Sequence, residues 1–379
     1  MRNIIILGLT SLLTDISSEM VYPLVPLFLA SLGSGPAILG LVEGIAESTA
    51  SLLKVFSGYW SDRLGRRKPL AIIGYAGSTV GKGLLAIATN WTIVLAGRVA
   101  DRMGKGIRTA PRDALIADSA EEGKRGKAFG LHRAMDTAGA VGGVAIAILI
   151  VNVSGPDVRR VIVWSLVPAV IGVALLFWVR DVRFDTISRT TSASFHLSAI
   201  PSPLRRFLLV SFIFSLGNSS NTFLLLRASN EQVPVTGVLF LYLAYNIAYS
   251  VFSYPAGKLS DRLGRKSILV AGYTTYAAVY LGMAVLPSHA GYISFLLLFC
   301  LYGLYSGLTD GVEKALVVDL VGAPMRATAI GLHATIVGAG LLPASLIAGQ
   351  LWSLLGPAAP FAFGGGMALF SALLLIILL

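Results

Sequence analysis

Apolar residues run along this chain in long blocks, each closed by a short polar interruption. Blocks of about 20 apolar residues have the length of an α-helix that crosses a bilayer. No alternating apolar–polar pattern of the kind a strand needs interrupts them. The spacing predicts twelve helices, over 3–31, 36–60, 69–89, 91–117, 127–152, 159–179, 204–228, 233–257, 268–287, 290–319, 325–352 and 357–379. The longest polar stretch, 180–203, is rich in Ser, Thr and Arg and carries Pro201 and Pro203. It separates six helices from six and reads as a linker. The expected fold is an all-α polytopic membrane protein, with one six-helix bundle over 1–179 and a second over 204–379.

The two bundles repeat each other. The string GYWSDRLGRRK at 58–68 returns 199 residues later as GKLSDRLGRK at 257–266, again wedged between two apolar blocks. Ala114-Leu-Ile-Ala-Asp118 matches Ala315-Leu-Val-Val-Asp319, and Gly130-Leu-His132 matches Gly331-Leu-His333, both at an offset of 201. Ser17-Ser18 in the first helix matches Ser219-Ser220 in the seventh. The repeat is therefore parallel, the second helix equating with the eighth, the fourth with the tenth and the fifth with the eleventh. In the repeated loop, Gly65 and Gly264 suit a tight turn. Asp62 and Asp261 are placed to meet a helix N-terminus and neighbouring arginines.

This loop resembles that of the major facilitator superfamily, whose motif reads G-x-L-a-D-r-x-G-r-k-x-x-l. The copy ending at Leu269 fits throughout, and the copy ending at Leu70 departs at Trp60. The resemblance covers the whole chain. It implies two six-helix halves around a central cavity and transport by alternating access. It also implies a cytoplasmic gate, here Gly58, Asp62, Arg63, Gly65, Arg66, Arg112 and Asp118 in the first half and Asp261, Arg262, Gly264, Arg265 and Asp319 in the second. Arg98 falls on the Arg of the family's fourth-helix motif R-x-x-q-G-x-g, with Asp101 and Arg102 replacing the Gln and first Gly and Gly104 keeping the second. Gly139-Ala-Val-Gly142-Gly143 is similar to the antiporter motif G-P-x-x-G-G without its proline; close helix packing is the other reading of those glycines.

Composition agrees with a lipid solvent: 55% of the residues are hydrophobic and 13% are charged. The net charge of +11 does not point to nucleic acid, because the Lys and Arg cluster at helix junctions on one side of the membrane. Only Arg159, Arg160 and Arg227 fall at junctions on the other. Positive residues favour the inside, so both termini and the linker are expected in the cytoplasm of a bacterial-type inner membrane. The single Cys300 excludes a disulfide framework. No metal-ligand spacing, nucleotide loop or nucleophile motif is present, so neither an enzyme nor an ATP-driven pump is expected.

Charge inside the predicted helices changes the picture most. A charged side chain at a helix centre costs about 2.5–3.5 kcal/mol on insertion scales, so each must meet a partner or a wet cavity. Helices one to five hold eight embedded cations (Lys54, Lys82, Arg98, Arg102, Lys105, Arg108, Arg112, Arg133) and seven anions (Asp15, Glu19, Glu43, Glu47, Asp101, Asp113, Asp136). Near balance predicts ion-pair networks. The second half reads as mostly neutral, with Tyr242, Tyr245, Asn246 and Tyr249 on one stripe of the eighth helix and Tyr302 and Tyr305 on the tenth.

These positions define the candidate sites. Proton-coupling candidates are Asp15, Glu19, Glu43, Glu47, Arg98, Asp101 and Asp136. Substrate-cavity candidates are Tyr22, Arg102, Arg133, Asn221, Tyr242, Tyr245, Asn246, Tyr249 and Tyr302. His132 and His333, at equivalent positions, read as structural. The expected activity is proton-coupled export of a small amphipathic or drug-like compound by a monomer. No cofactor beyond the proton gradient, and no partner beyond substrate, protons and lipid, is expected. Uptake of an organic anion, metabolite or siderophore is the first alternative; a non-transporting membrane sensor on the same scaffold is the second.

Overall fold

The computed structural model describes residues 2–64, 67–120, 125–180, 200–287, 290–321 and 326–379; within its helices the side chains at 55, 58, 59, 62–64, 125–127, 130 and 326–328 lie outside the description. Every regular element among the described residues is helical. In the first half these are α1 (Arg2–Val21), α2 (Val25–Ser31), α3 (Pro36–Leu64), α4 (Lys68–Ile87), α5 (Trp91–Ser119), α6 (Arg125–Ser154) and α7 (Val158–Leu175). In the second they are α8 (Ser202–Gly217), α9 (Thr222–Asn230), α10 (Val235–Leu263), α11 (Arg265–Val285), α12 (Tyr292–Asp319), α13 (Arg326–Leu355) and α14 (Ala359–Leu378). Among the described residues eleven spans, counting α1–α2 and α8–α9 as one each, are long and apolar enough to cross a membrane. The remaining long helix, α5, misses that criterion because of its charges.

Helix ends follow local chemistry. Pro36 opens α3, where a missing N–H costs nothing. The Asn90 side chain caps α5 by accepting from Ile93 N at 3.1 Å, and Asp157 caps α7 by accepting from Arg159 N at 3.0 Å. Gly264 holds φ +88° between α10 and α11, a conformation that disfavours any residue with a β-carbon. The equivalent Gly65 lies outside the described residues, as does most of the predicted linker.

Two predicted helices are broken, and in matching places. The first span is interrupted by a 3-10 turn at Tyr22–Leu24, because Pro23 and Pro26 lack the N–H groups that α-helical bonding needs there. The seventh is interrupted between Gly217 and Thr222, where Asn218 N bonds Ser215 O at 3.2 Å and Tyr276 Oη takes up Gly217 O at 2.8 Å. Broken helices in equivalent positions of two repeats characteristically put polar backbone and side chains at membrane depth.

Cationic side chains satisfy carbonyls that helix C-termini leave over. Arg159 donates to Ala86 O and Ala88 O at the end of α4, at 2.7 and 2.5 Å. Arg227, 3% exposed, donates to Met283 O and Leu286 O at the end of α11. Lys68 reaches Phe177 O and Val179 O after α7, and Lys266 reaches Ile376 O near the end of α14. Arg160 donates to Ser154 O at the end of α6 at 3.0 Å, so all three cations that depart from the charge bias of the sequence are helix caps.

The chain divides into two compact units, residues 1–34 with 45–192 and residues 35–44 with 193–379. The first ten residues of this second set are Gly35 and the first nine residues of α3, a division the sequence does not mark. Neighbour relations repeat from unit to unit. In the first, α1 packs on α6, α4 on α5 and α4 on α7; in the second, α8 packs on α13, α11 on α12 and α11 on α14. The α4–α5 contact is a ladder of small residues: a β-carbon on Gly81 would lie 2.5 Å from Asp101 N and from Gly97 O, and one on Gly74 would lie 2.7 Å from Gly104 O. Gly139 meets α1 in the same way, with Leu12 O 2.6 Å from where its β-carbon would be.

Candidate functional site

In the first unit, the predicted charges gather around α5. Arg98, Asp101, Arg102 and Arg108 are all 6% exposed or less. Their partners come from several helices. Arg102 Nε lies 2.9 Å from Glu47 Oε1, an ion pair whose N–H points off the line to the carboxylate. Arg98 Nη2 lies 3.9 Å from the same oxygen, and Arg98 Nη1 lies 3.7 Å from Asp101 Oδ2. Both guanidinium carbons sit 5.5 Å from the Tyr22 ring centre, at the break in the first span. A cation over a ring face gains about 0.5–2 kcal/mol as the site dries. Tyr22 is thus held where the proline break delivers it.

A second layer lies further along the same helix. Arg108 donates to Ser78 Oγ, which itself donates to Asp101 O at 2.9 Å. Lys82, 2% exposed, donates to Ser18 Oγ on α1 at 3.0 Å and has Asp101 as its main attractive neighbour. Asp15 feels Lys105 and Arg108 as cations and Asp136 and Glu19 as anions. Asp136 lies 3.4 Å from His132 Nδ1, one turn away on α6. Arg133, on the same helix, is exposed. The sequence candidates Asp15, Glu19, Glu47, Arg98, Asp101, Arg102 and Asp136 therefore belong to one unit, joined by Lys82. Glu43 does not: it is fully buried in the second unit and accepts from Ser220 Oγ at 3.3 Å. Helical spacing alone grouped it with Glu47, but the chain passes from one unit to the other between them.

The second unit holds a cavity of about 310 Å³. Tyr245, Tyr249, Tyr302 and Asn221, all predicted, line it. Tyr302 Oη donates to Asn221 Oδ1 at 2.6 Å, and Tyr249 Oη donates to Asp310 Oδ2 at 2.6 Å. Tyr242 and Asn246 are not part of the lining; Asn246 Nδ2 turns back to Tyr242 O at 2.9 Å. Tyr305 stands 5.3 Å from Tyr302, centre to centre, and 4.8 Å from Tyr276. The second half is not neutral at this depth. Asp310 and Glu313 on α12 both reach the cavity, and Tyr273 Oη donates to Glu313 Oε1 at 3.1 Å. Both lie within the predicted tenth helix, 290–319, so the second half is less neutral than its tyrosine stripes suggest.

The loop repeat forms ion pairs inside each unit. Arg67 Nη1 lies 2.7 Å from Asp118 Oδ2 in the first. Arg265 lies 2.6 Å from Asp261 and 3.2 Å from Asp319 in the second. Arg262 is exposed, and Arg112 pairs with Asp113 at 2.8 Å. Arg67 was not among the sequence candidates, whereas Gly65 and Arg66 lie outside the described residues, Gly58 is part of α3, and the side chains of Asp62 and Arg63 lie outside the description.

Comparison with known proteins agrees with this architecture. The sequence model of the Major Facilitator Superfamily matches residues 7–227 and 207–379. An uncharacterized MFS-type transporter of Methanocaldococcus jannaschii is 40% identical over 383 aligned positions, covering 99% of this chain and 94% of that protein. The multidrug resistance protein MdtH of Cronobacter sakazakii is 24% identical, covering 82% of this chain and 77% of its own length. Among solved structures, the nucleoside transporter NupG superposes with a TM-score of 0.82 over 100% of this chain and 99% of its own, at 13% identity. That likeness is one of fold.

Proposed function

Because the chain belongs to the Major Facilitator Superfamily of membrane transporters, we propose that it works by alternating access and exports a small amphipathic compound in exchange for protons. The observation that carries this reading is the charge cluster of the first unit. Three carboxylates (Asp15, Glu47, Asp101) and the cations of α5 and Lys82 are held at membrane depth by contacts to one another. Adding or removing one proton from such a set changes the balance of a whole network, which gives two access states different energies. The tyrosine-walled cavity of the second unit supplies apolar faces and hydroxyls for the body of a compound. The resemblance to a multidrug resistance protein supports export as the direction.

Uptake of an organic anion is the reading that Arg98 and Arg102 favour by charge alone. Their guanidinium groups are occupied by Glu47, Asp101 and the Tyr22 ring, which lowers their value as an anion trap. The test is proton movement in everted vesicles with a preformed acid interior. Cationic, neutral and anionic amphipathic compounds are added in turn to vesicles with wild type, Asp15→Asn or Glu19→Gln. Gradient loss that depends on compound and disappears in the variants is the expected result. A gradient that survives every compound in wild type, or is lost equally in both variants, overturns the proposal.

A further inference from the structure

Of the two carboxylates lining the second unit's cavity, Glu313 is the one with no Lys or Arg partner among the described residues. Its neighbour Asp310 is answered twice, by Lys314 Nζ at 2.9 Å and by Tyr249 Oη at 2.6 Å. Glu313 receives a neutral donor, Tyr273 Oη at 3.1 Å, and faces His333 Nε2 at 3.8 Å. Among the described residues no Lys or Arg comes within ion-pair distance of it. His333 is 7% exposed, its Nε2 has no hydrogen-bond partner, and Phe207 stacks on its ring at 5.5 Å. Ser211 Oγ, 2% exposed, also lines the cavity. An imidazole nitrogen without a hydrogen-bond partner thus faces, beside this cavity, a carboxylate that has no Lys or Arg next to it among the described residues.

The repeat sharpens the point. At the offset of 201, Glu313 corresponds to Arg112, and His333 to His132. In the first unit the histidine has its acid on its own helix, Asp136, and the α5 position holds a cation already paired with Asp113. In the second unit Val337 replaces that acid, and the acid comes from α12. The sign at the cavity end is reversed.

We propose that this cavity binds a protonated organic amine with an aromatic or apolar body, its ammonium on Glu313 and its body among Tyr245, Tyr302 and Tyr305. The amine provides the charge Glu313 lacks, and tyrosine faces stabilise a neighbouring cation. The cavity, about 310 Å³, matches the lower end of small-molecule sites. This names a substrate class for the transporter reading and rests on it.

The experiment is equilibrium binding to the purified full chain, with three probes of matched size: phenethylamine, phenylethanol and phenylpropanoate. Wild type is expected to bind the amine about tenfold or more tightly than the alcohol, and the anion most weakly. Glu313→Gln is expected to lower amine affinity about tenfold or more and to erase the preference over the alcohol, with Glu313→Asp intermediate. Equal affinity of wild type for all three probes, or binding of none, overturns the proposal without recourse to any variant. So does amine binding that Glu313→Gln leaves unchanged. Binding is read without transport, so a chain that holds the amine but moves no protons sinks the antiport reading and leaves this one standing.

Discussion

Glu47 holds two arginines, and removing it should cost more than removing either. Arg102 approaches it at 2.9 Å and Arg98 at 3.9 Å. Unit charges about 4 Å apart attract by about 4 kcal/mol at an effective dielectric of 20. Two terms reduce that figure. Arg98 and Arg102 are 2% and 8% exposed at the side chain and lose most of their hydration, and Glu47, 30% exposed, keeps part of its own. A net coupling of about 1–3 kcal/mol between Glu47 and Arg102 remains. Glu47→Gln leaves both guanidinium groups with one fewer anion and is expected to destabilise by about 2–4 kcal/mol. Arg102→Gln leaves Glu47 with Arg98 and is expected to cost about 1–2 kcal/mol less. The assay is a thermal unfolding series in detergent on wild type, both single variants and the double variant, followed by intrinsic fluorescence. The double variant should unfold close to Glu47→Gln alone. A double variant whose midpoint shift equals the sum of the two single shifts would refute the reasoning, since the pair would then be uncoupled.

Two further outcomes follow from packing and capping. Gly81→Val should lower the thermal midpoint sharply and reduce the yield of folded protein, because its β-carbon meets Asp101 N and Gly97 O at 2.5 Å. Gly83→Val, with open space at its β-carbon, should fold like wild type, and equal yields of the two would contradict the ladder. Arg227→Met should cost about 3 kcal/mol or more, since it breaks the buried pair with Glu231 and strips two carbonyls of α11. Arg160→Met, in an exposed pair with Asp157, should change stability by less than about 1 kcal/mol, and thermal unfolding of both variants checks the contrast.

What the sequence disclosed was whatever repeats along the chain. The duplicated loop, the twelve apolar blocks and the matched His132 and His333 are visible at fixed offsets, and the neighbour pattern of helices in each unit agrees with them. The clustering of ions on α5 was visible too, because seven charged residues in one predicted span have no apolar explanation. What escaped was whatever depends on a neighbouring helix. Glu43 and Glu47 share a helix face and yet belong to different units. His333 occupies the position of His132, but its acid comes from α12 and not from α13. Arg67 answers Asp118 in one loop, whereas Arg265, which aligns with Arg66, answers Asp319 in the other. The break at Tyr22 was half legible, for Pro23 and Pro26 stand in the sequence, but the stacking of two arginines on the displaced ring is a tertiary fact.

The glycine ladder between α4 and α5 has a mechanical consequence. Where backbones touch through Gly74, Gly81, Gly97 and Gly104, no layer of side chains is left to shear or re-pack. The two helices then behave as a single stiff rod, and α5 cannot roll about its own axis while α4 stays still. Any rearrangement that re-aims Arg98 or Arg102 must come from rotamer changes, from displacement of Glu47 and Tyr22, or from the rod travelling whole with Lys82 aboard. A distance probe pair placed on the outer faces of α4 and α5 would thus serve as a fixed ruler, against which the travel of α1 and α3 can be measured.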